Sequence, residues 1–217
     1  MIQVLLRVVA LLAALGLPAA ALAYDPSWYR MEQWSGEYPG GFTMTGTRTV
    51  ALRERPDPEA PRTVPCRFEK DATYHPWNQK RVAQQDLQFV SFTKSREFVV
   101  QTGFRDVLFD QAAQREVPVG FNPGDRWRYL AYLAEGRIVL DYRGSRYTGD
   151  QTLFEHSAPL SRGGDAPEAG YDEWMRVSCP DGAQGWLFIR DIADAPGFDA
   201  PHIIRYGTAA DRAADPR

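Results

Sequence analysis

The chain has 217 residues, enough for one generous domain or two small ones with a sizeable core. Its 25 basic and 28 acidic side chains leave a net charge of −3, which excludes the strongly basic field that draws a protein to nucleic acid. Only Lys70, Lys80 and Lys94 are lysines, so nearly all the positive charge is arginine, a side chain suited to ion pairs, stacking and anion contacts.

Residues 1–23 carry Arg7, an apolar run broken by Pro18, and the small-x-small ending Ala21-Leu22-Ala23. That pattern predicts a secretory signal removed before Tyr24; the alternative, an uncleaved anchor, needs a longer span. No cysteine stands at the cleavage point, which argues against a lipid anchor. The mature chain then has 217 − 23 = 194 residues and no membrane span. An exported chain makes oxidation the expected state of its two cysteines, Cys66 and Cys179, and a disulfide between them closes a loop of over one hundred residues. Pro65 and Pro180 give neither thiol the helix N-terminus that favours a reactive thiolate.

Residues 24–41 are aromatic and interrupted by Pro and Gly, an extended lead-in whose Trp28 and Trp34 are expected to pack against the following domain. TRTVALRER alternates as a strand, with Val50 and Leu52 on one face. PDPEAP stops it, and RTVPCRFEKD resumes an extended run in which Pro65 predicts an edge or a bulge. DLQFVSFTKSREFVVQT supplies two strands around a polar turn at Lys94 and Ser95, and GFRDVLFD a further one. From Gly124 the pattern restarts: LAYLAEG is ambiguous between helix and strand, and Ile138, Leu140 and Tyr142 alternate up to a hairpin at Arg143-Gly144. Residues 161–170 read as a polar loop. DAPGFDAPHIIRY argues weakly for helix, and the small, charged tail within 199–217 reads as disordered. The class is all-β.

EWMRVSCPDGAQGWLFIRDI, residues 173–192, places Trp174 and Val177 before an Asp181-Gly182 turn, followed by Gly185-Trp186 and an apolar strand. This resembles the closing half of a bacterial SH3-like (SH3b-type) domain, and VALRERPDPEAPRTV, residues 50–64, is similar to that family's opening. The two ends lie over one hundred residues apart, about twice what one such domain takes. Two arrangements fit: tandem small SH3-like barrels at 42–122 and 123–198, which the restart at Gly124 favours, or one barrel with a long β insertion.

The resemblance implies a non-enzymatic binding module of the bacterial envelope, periplasmic or secreted, that recognises a peptide, a peptidoglycan fragment or a partner protein. The expected ligand residues are Trp174, Trp186, Tyr142 and Tyr147 with Arg53 and Glu54 as charged contacts, each aromatic being equally readable as core. Tyr147 and Trp77, among polar neighbours, are the better candidates for exposure. The alternative function is a wall-associated hydrolase or its inhibitor on a β fold. Against it, His75, His156 and His202 are scattered without metal-ligand spacing, no Gly-x-Ser-x-Gly elbow occurs, and carboxylate pairs are too common to mark a site. No cofactor, metal or catalytic residue is therefore expected.

Overall fold

The structure is a computed structural model that describes residues 24–37, 40–74, 87–160, 170–193 and 195–199. The expected signal segment, the loop at 161–169, Trp77, His75, His202 and the tail from 200 on lie outside the described residues. The fold is all-β. Its strands are β1 Trp28–Met31, β2 Phe42–Met44, β3 Arg48–Leu52, β4 Val64–Phe68, β5 Thr73–Tyr74, β6 Gln88–Lys94, β7 Arg96–Val100 and β8 Phe104–Asp110. They continue as β9 Arg115–Phe121, β10 Arg126–Tyr132, β11 Arg137–Tyr142, β12 Ser145–Asp150, β13 Ser157–Pro159, β14 Tyr171–Ser178, β15 Gln184–Phe188 and β16 Phe198–Asp199. A single helical turn, α1 Ile189–Ile192, follows β15, and a 3-10 turn at Gln151–His156 follows β12.

Connectivity departs from the tandem expectation. The seven-stranded sheet, ordered β13-β7-β10-β11-β12-β8-β9, is drawn entirely from residues 96–159, so it straddles the predicted boundary at 122/123. The remaining strands come from both sides of it: the four-stranded sheet β1-β6-β14-β15, the three-stranded sheet β16-β2-β5 and the hairpin β3-β4. Residues 96–159 are thus an insertion between β6 and β14, and among the described residues no sheet closes into a barrel. The apparent restart at Gly124 is the turn that leads into β10, the fourth strand of the inserted unit in chain order. The strand before it, β9, escaped the sequence pattern because Pro118 interrupts it; the sheet tolerates a proline there because β9 is an edge.

Two main cores follow. Phe42, Met44, Leu52, Cys66, Phe68 and Phe89 from the first half of the chain pack with Met175, Val177, Cys179, Leu187 and Ile192 from its end. Cys66 and Cys179 are disulfide-bonded within this core, tying β4 to the β14–β15 turn. The inserted sheet has its own core of Phe98, Leu108, Phe121, Trp127, Leu140 and Leu153, among others. Met31 of β1 packs on Leu130, Ala131 and Val139, which joins the two units. Alternation along β10 makes this possible, since Trp127 and Tyr129 face the inserted core while Leu130 faces β1, and a bulge between Tyr129 and Ala131 shifts the register.

The lead-in is itself part of a sheet. β1 runs antiparallel to β6, pairing Trp28 with Lys94 and Met31 with Ser91, and Trp34 packs on Phe89 with ring centroids 5.5 Å apart. Two strands do part at Lys94 and Ser95, with Lys94 ending β6 and Ser95 preceding β7, but the two do not pair; each enters a different sheet. The ambiguous LAYLAEG begins as the end of β10.

Candidate functional site

The two segments that carry the resemblance meet in space. Arg53, just past β3, and Trp186 of β15 exchange backbone hydrogen bonds, with Arg53 N donating to Trp186 O (3.0 Å) and Trp186 N to Arg53 O (2.8 Å). Gly185 permits the approach: a Cβ there would lie 2.6 Å from Leu52 Cβ and 3.3 Å from the Arg53 carbonyl oxygen. Beyond this one bridge the strands diverge, since β15 turns at once into α1, and the space between them is a groove with a cavity volume of about 210 Å³. Val50, Trp186, Phe188 and Ile192 supply apolar surface along it, and Pro196 and Phe198 face it from the segment around β16.

Its charge is arginine held around one carboxylate. Arg62 Nη2 donates to Asp191 Oδ2 at 2.5 Å, and Arg53 Nη2 reaches the same oxygen at 3.4 Å. Arg53 is anchored from the other side, its Nη1 donating to the carbonyl oxygens of Pro58 (2.5 Å) and Ala60 (3.0 Å), with its guanidinium 5.8 Å from the Trp174 ring centre. Its Nε is buried and has no acceptor. Arg48 lines the opposite end, over the Phe198 ring at 6.0 Å. Three arginines against one aspartate leave the lining with 3 − 1 = +2 charges.

Of the residues singled out in the sequence, Arg53 and Trp186 lie together in this groove, with Trp186 half-buried. Glu54 is exposed, accepts a hydrogen bond from Thr63 Oγ1 (2.5 Å) and does not line it. Trp174 corrects the expectation of a ligand contact: it is 0% exposed, stacks on Phe188 at 4.4 Å and donates its Nε1–H to Tyr24 Oη at 2.9 Å. Trp174 and Trp186 share one face of the four-stranded sheet, but β14 is an inner strand and β15 an edge. Tyr24 completes the cover over Trp174. Its ring stacks on Phe92 at 3.8 Å and its hydroxyl donates to the buried Asp172 at 3.0 Å, burial holding the phenol well above the ordinary tyrosine range.

Tyr142 and Tyr147 belong to the inserted sheet and take no part in the groove. Tyr142 is 3% exposed; its hydroxyl lies 2.7 Å from Asp125 Oδ2, to which it donates, and 3.0 Å from the Gly120 carbonyl oxygen. Burial, then the Asp125 charge and hydrogen bond, push that phenol up to about 12. Tyr147 is half-buried against the inserted core.

Arg48, Arg62 and Asp191 are the lining residues that sequence reasoning missed. Arg48 lies just before the 50–64 stretch and Arg62 inside it, yet nothing in their spacing shows that Arg62 joins Arg53 on one carboxylate 129 positions after Arg62 while Arg48 lines the same groove. Among the described residues no group of three or more His, Cys, Asp or Glu side chains is placed to hold a metal ion, and no helix is long and apolar enough to cross a membrane. Comparison with protein-family models, with curated proteins and with solved structures finds no match to this chain.

Proposed function

We propose that this chain is a non-enzymatic exported binding protein of the bacterial envelope, SH3-like in its opening and closing strands, that recognises a peptide, a peptidoglycan fragment or a partner protein in the groove between β3 and β15. The observation that carries the reading is the junction itself. The two segments that resemble one SH3-like domain are separated by the inserted sheet, yet they meet at Arg53 and Trp186 and form a concave surface holding an aromatic face and an arginine cluster. An aromatic side chain beside a guanidinium is the pairing that recurs in binding hot spots, because it buries area at low entropic cost and orients a polar partner. The disulfide suits a periplasmic or secreted setting.

The test is capture of ligands from intact peptidoglycan sacculi and from envelope extract by the purified mature protein, beside a Trp186→Ala variant whose fold is verified by circular dichroism. Capture by the wild type, lost in the variant, is the expected result. Equal capture by both sinks the groove as the site.

A further inference from the structure

Resting on that binding-module reading, we infer that the groove takes the carboxy-terminal end of an extended polypeptide, added as a strand between β3 and β15 with its terminal carboxylate on Arg53 and Arg62. Backbone direction comes first. In the β3–β4 hairpin Ala51 stands opposite Pro65, which has no N–H, so this pair cannot exchange reciprocal hydrogen bonds. The backbone groups of Ala51 therefore point away from β4, as do those of Thr49 and Arg53 by the two-residue alternation. Arg53 verifies the direction, since its N–H and C=O are the ones bonded to Trp186. Thr49 and Ala51 are exposed and, among the described residues, their outward backbone groups have no partner. On the facing side the same alternation from Trp186 turns the Phe188 N–H toward the groove, while the Phe188 carbonyl, at the N-cap of α1, belongs to that helical turn. The β3 edge thus offers its outward donors and acceptors along one side of the gap and β15 a single N–H on the other, and an exposed edge is the template that strand addition uses.

The closed end identifies which part of a chain fits. The Arg53–Trp186 bridge blocks further passage between the strands, so an inserted chain has to stop there. At about 210 Å³ the groove falls below the roughly 300–1,000 Å³ of sites that enclose a whole small molecule. It is the size for a chain end. The charge at the stop is positive, from Arg53 and Arg62. Asp191 engages only the Nη2 corner of Arg53, at 3.4 Å, and leaves Nε without an acceptor, so the Nε/Nη2 edge that grips a carboxylate bidentately is half used. A terminal carboxylate seated there fills that edge. The bound chain then runs parallel to β3 and antiparallel to β15.

The test exposes the immobilised full-length mature protein to two N-acetylated hexapeptide pools, random at every position, one ending in a free carboxylate and the other in an amide. Retained peptides are identified by mass spectrometry, and the best is titrated as acid and as amide against the wild type, Arg62→Gln and a distant control, Arg128→Gln. The acid is expected to bind at least tenfold more tightly than the amide, Arg62→Gln to erase that preference, Arg128→Gln to keep it, and the Thr49 and Ala51 amides to exchange more slowly in the complex. Equal binding of acid and amide, or no retention from either pool, overturns the inference. If capture from extract or sacculi that depends on Trp186 persists in that event, the binding-module reading stands without it; if that capture is also absent, both fall.

Discussion

Arg53 and Trp186 lie 133 positions apart in sequence (186 − 53) and are joined through both of their backbone groups, at 3.0 and 2.8 Å. The pairing brings a strand from the first quarter of the chain to one near its end, past an inserted seven-stranded sheet. The β3 and β15 walls of the groove are set by that junction, so substitutions around it separate stability from binding.

Gly185→Ala is the most direct probe of the junction. Its new Cβ would stand 2.6 Å from Leu52 Cβ and 3.1 Å from Leu52 Cδ1, with backbone 3.3 Å away, so β3 has to retreat. The expected cost is about 1–3 kcal/mol, the usual penalty for overpacking a filled contact. Urea unfolding measures it; a variant as stable as the wild type would show that β3 moves freely against β15.

The two tryptophans of one sheet face should behave differently. Trp174→Ala empties a site that is 0% exposed and leaves Tyr24 Oη without its indole donor, at an expected cost of about 3–5 kcal/mol. Trp186→Ala, on the edge strand and only half-buried, is expected to cost roughly half of that or less. Equal losses in thermal or urea unfolding would contradict this division between core and groove.

Replacing both cysteines by alanine opens a covalent loop spanning 113 positions. The expected loss is about 4–5 kcal/mol if the crosslink acts by constraining the unfolded chain. Unfolding of the oxidised wild type, the reduced wild type and the double variant should place the last two together and well below the first.

Glu173 introduces a pH dependence. Burial raises its carboxyl above the ordinary glutamate range, against a smaller lowering from the Ser35 N–H that Oε1 accepts at 2.9 Å. The folded protein therefore holds this proton where the unfolded chain has released it, and the associated stability is complete below the ordinary range and lost as pH rises through the folded value. Glu173→Gln, which keeps an acceptor for Ser35, is expected to match the wild type near the acid end of that window and to exceed it at neutral pH. Parallel melting curves for the two at all pH values would sink the assignment.

Asp125 runs the other way. The Tyr142 hydroxyl, followed by the Asn122 N–H, holds its carboxyl below the ordinary aspartate range, with Arg143 adding to this at 3.1 Å. Its contribution is present above the ordinary range and fades as pH falls through the folded value. Tyr142→Phe is expected to cost about 1 kcal/mol at neutral pH, the worth of a typical hydrogen bond, and less in acid. A loss that does not shrink in acid would assign the hydroxyl's effect to Gly120 alone.

Local chemistry was legible from the residues. The alternation of Val50 and Leu52 marks β3, and that of Ile138, Leu140 and Tyr142 marks β11. Arg143-Gly144 and Asp181-Gly182 mark two turns, with positive φ at Arg143 (49°), Gly144 (82°) and Gly182 (85°). Pro65 sits in a hairpin strand that pairs with β3 alone. These features depend on backbone sterics and on a period of two, and both are written in neighbouring residues. The all-β class follows at the same level, while the pairing of Cys66 with Cys179 follows from a chain expected to be exported having two cysteines.

Which strands meet is a different matter. β6 and β7 are separated by Ser95 alone and still join different sheets, while β3 and β15 meet across the length of the chain. Tandem units and an insertion have the same local pattern, because each strand's alternation says which face is apolar but not which apolar face it covers. That choice is made by burial summed over distant partners against the entropy of closing the loops between them. The same limit separates Trp174 from Trp186, alike in residue type and strand setting. Only the inner position of β14, the edge position of β15 and the docking of Tyr24 over one of them put the first in the core and leave the second beside Arg53 in the groove.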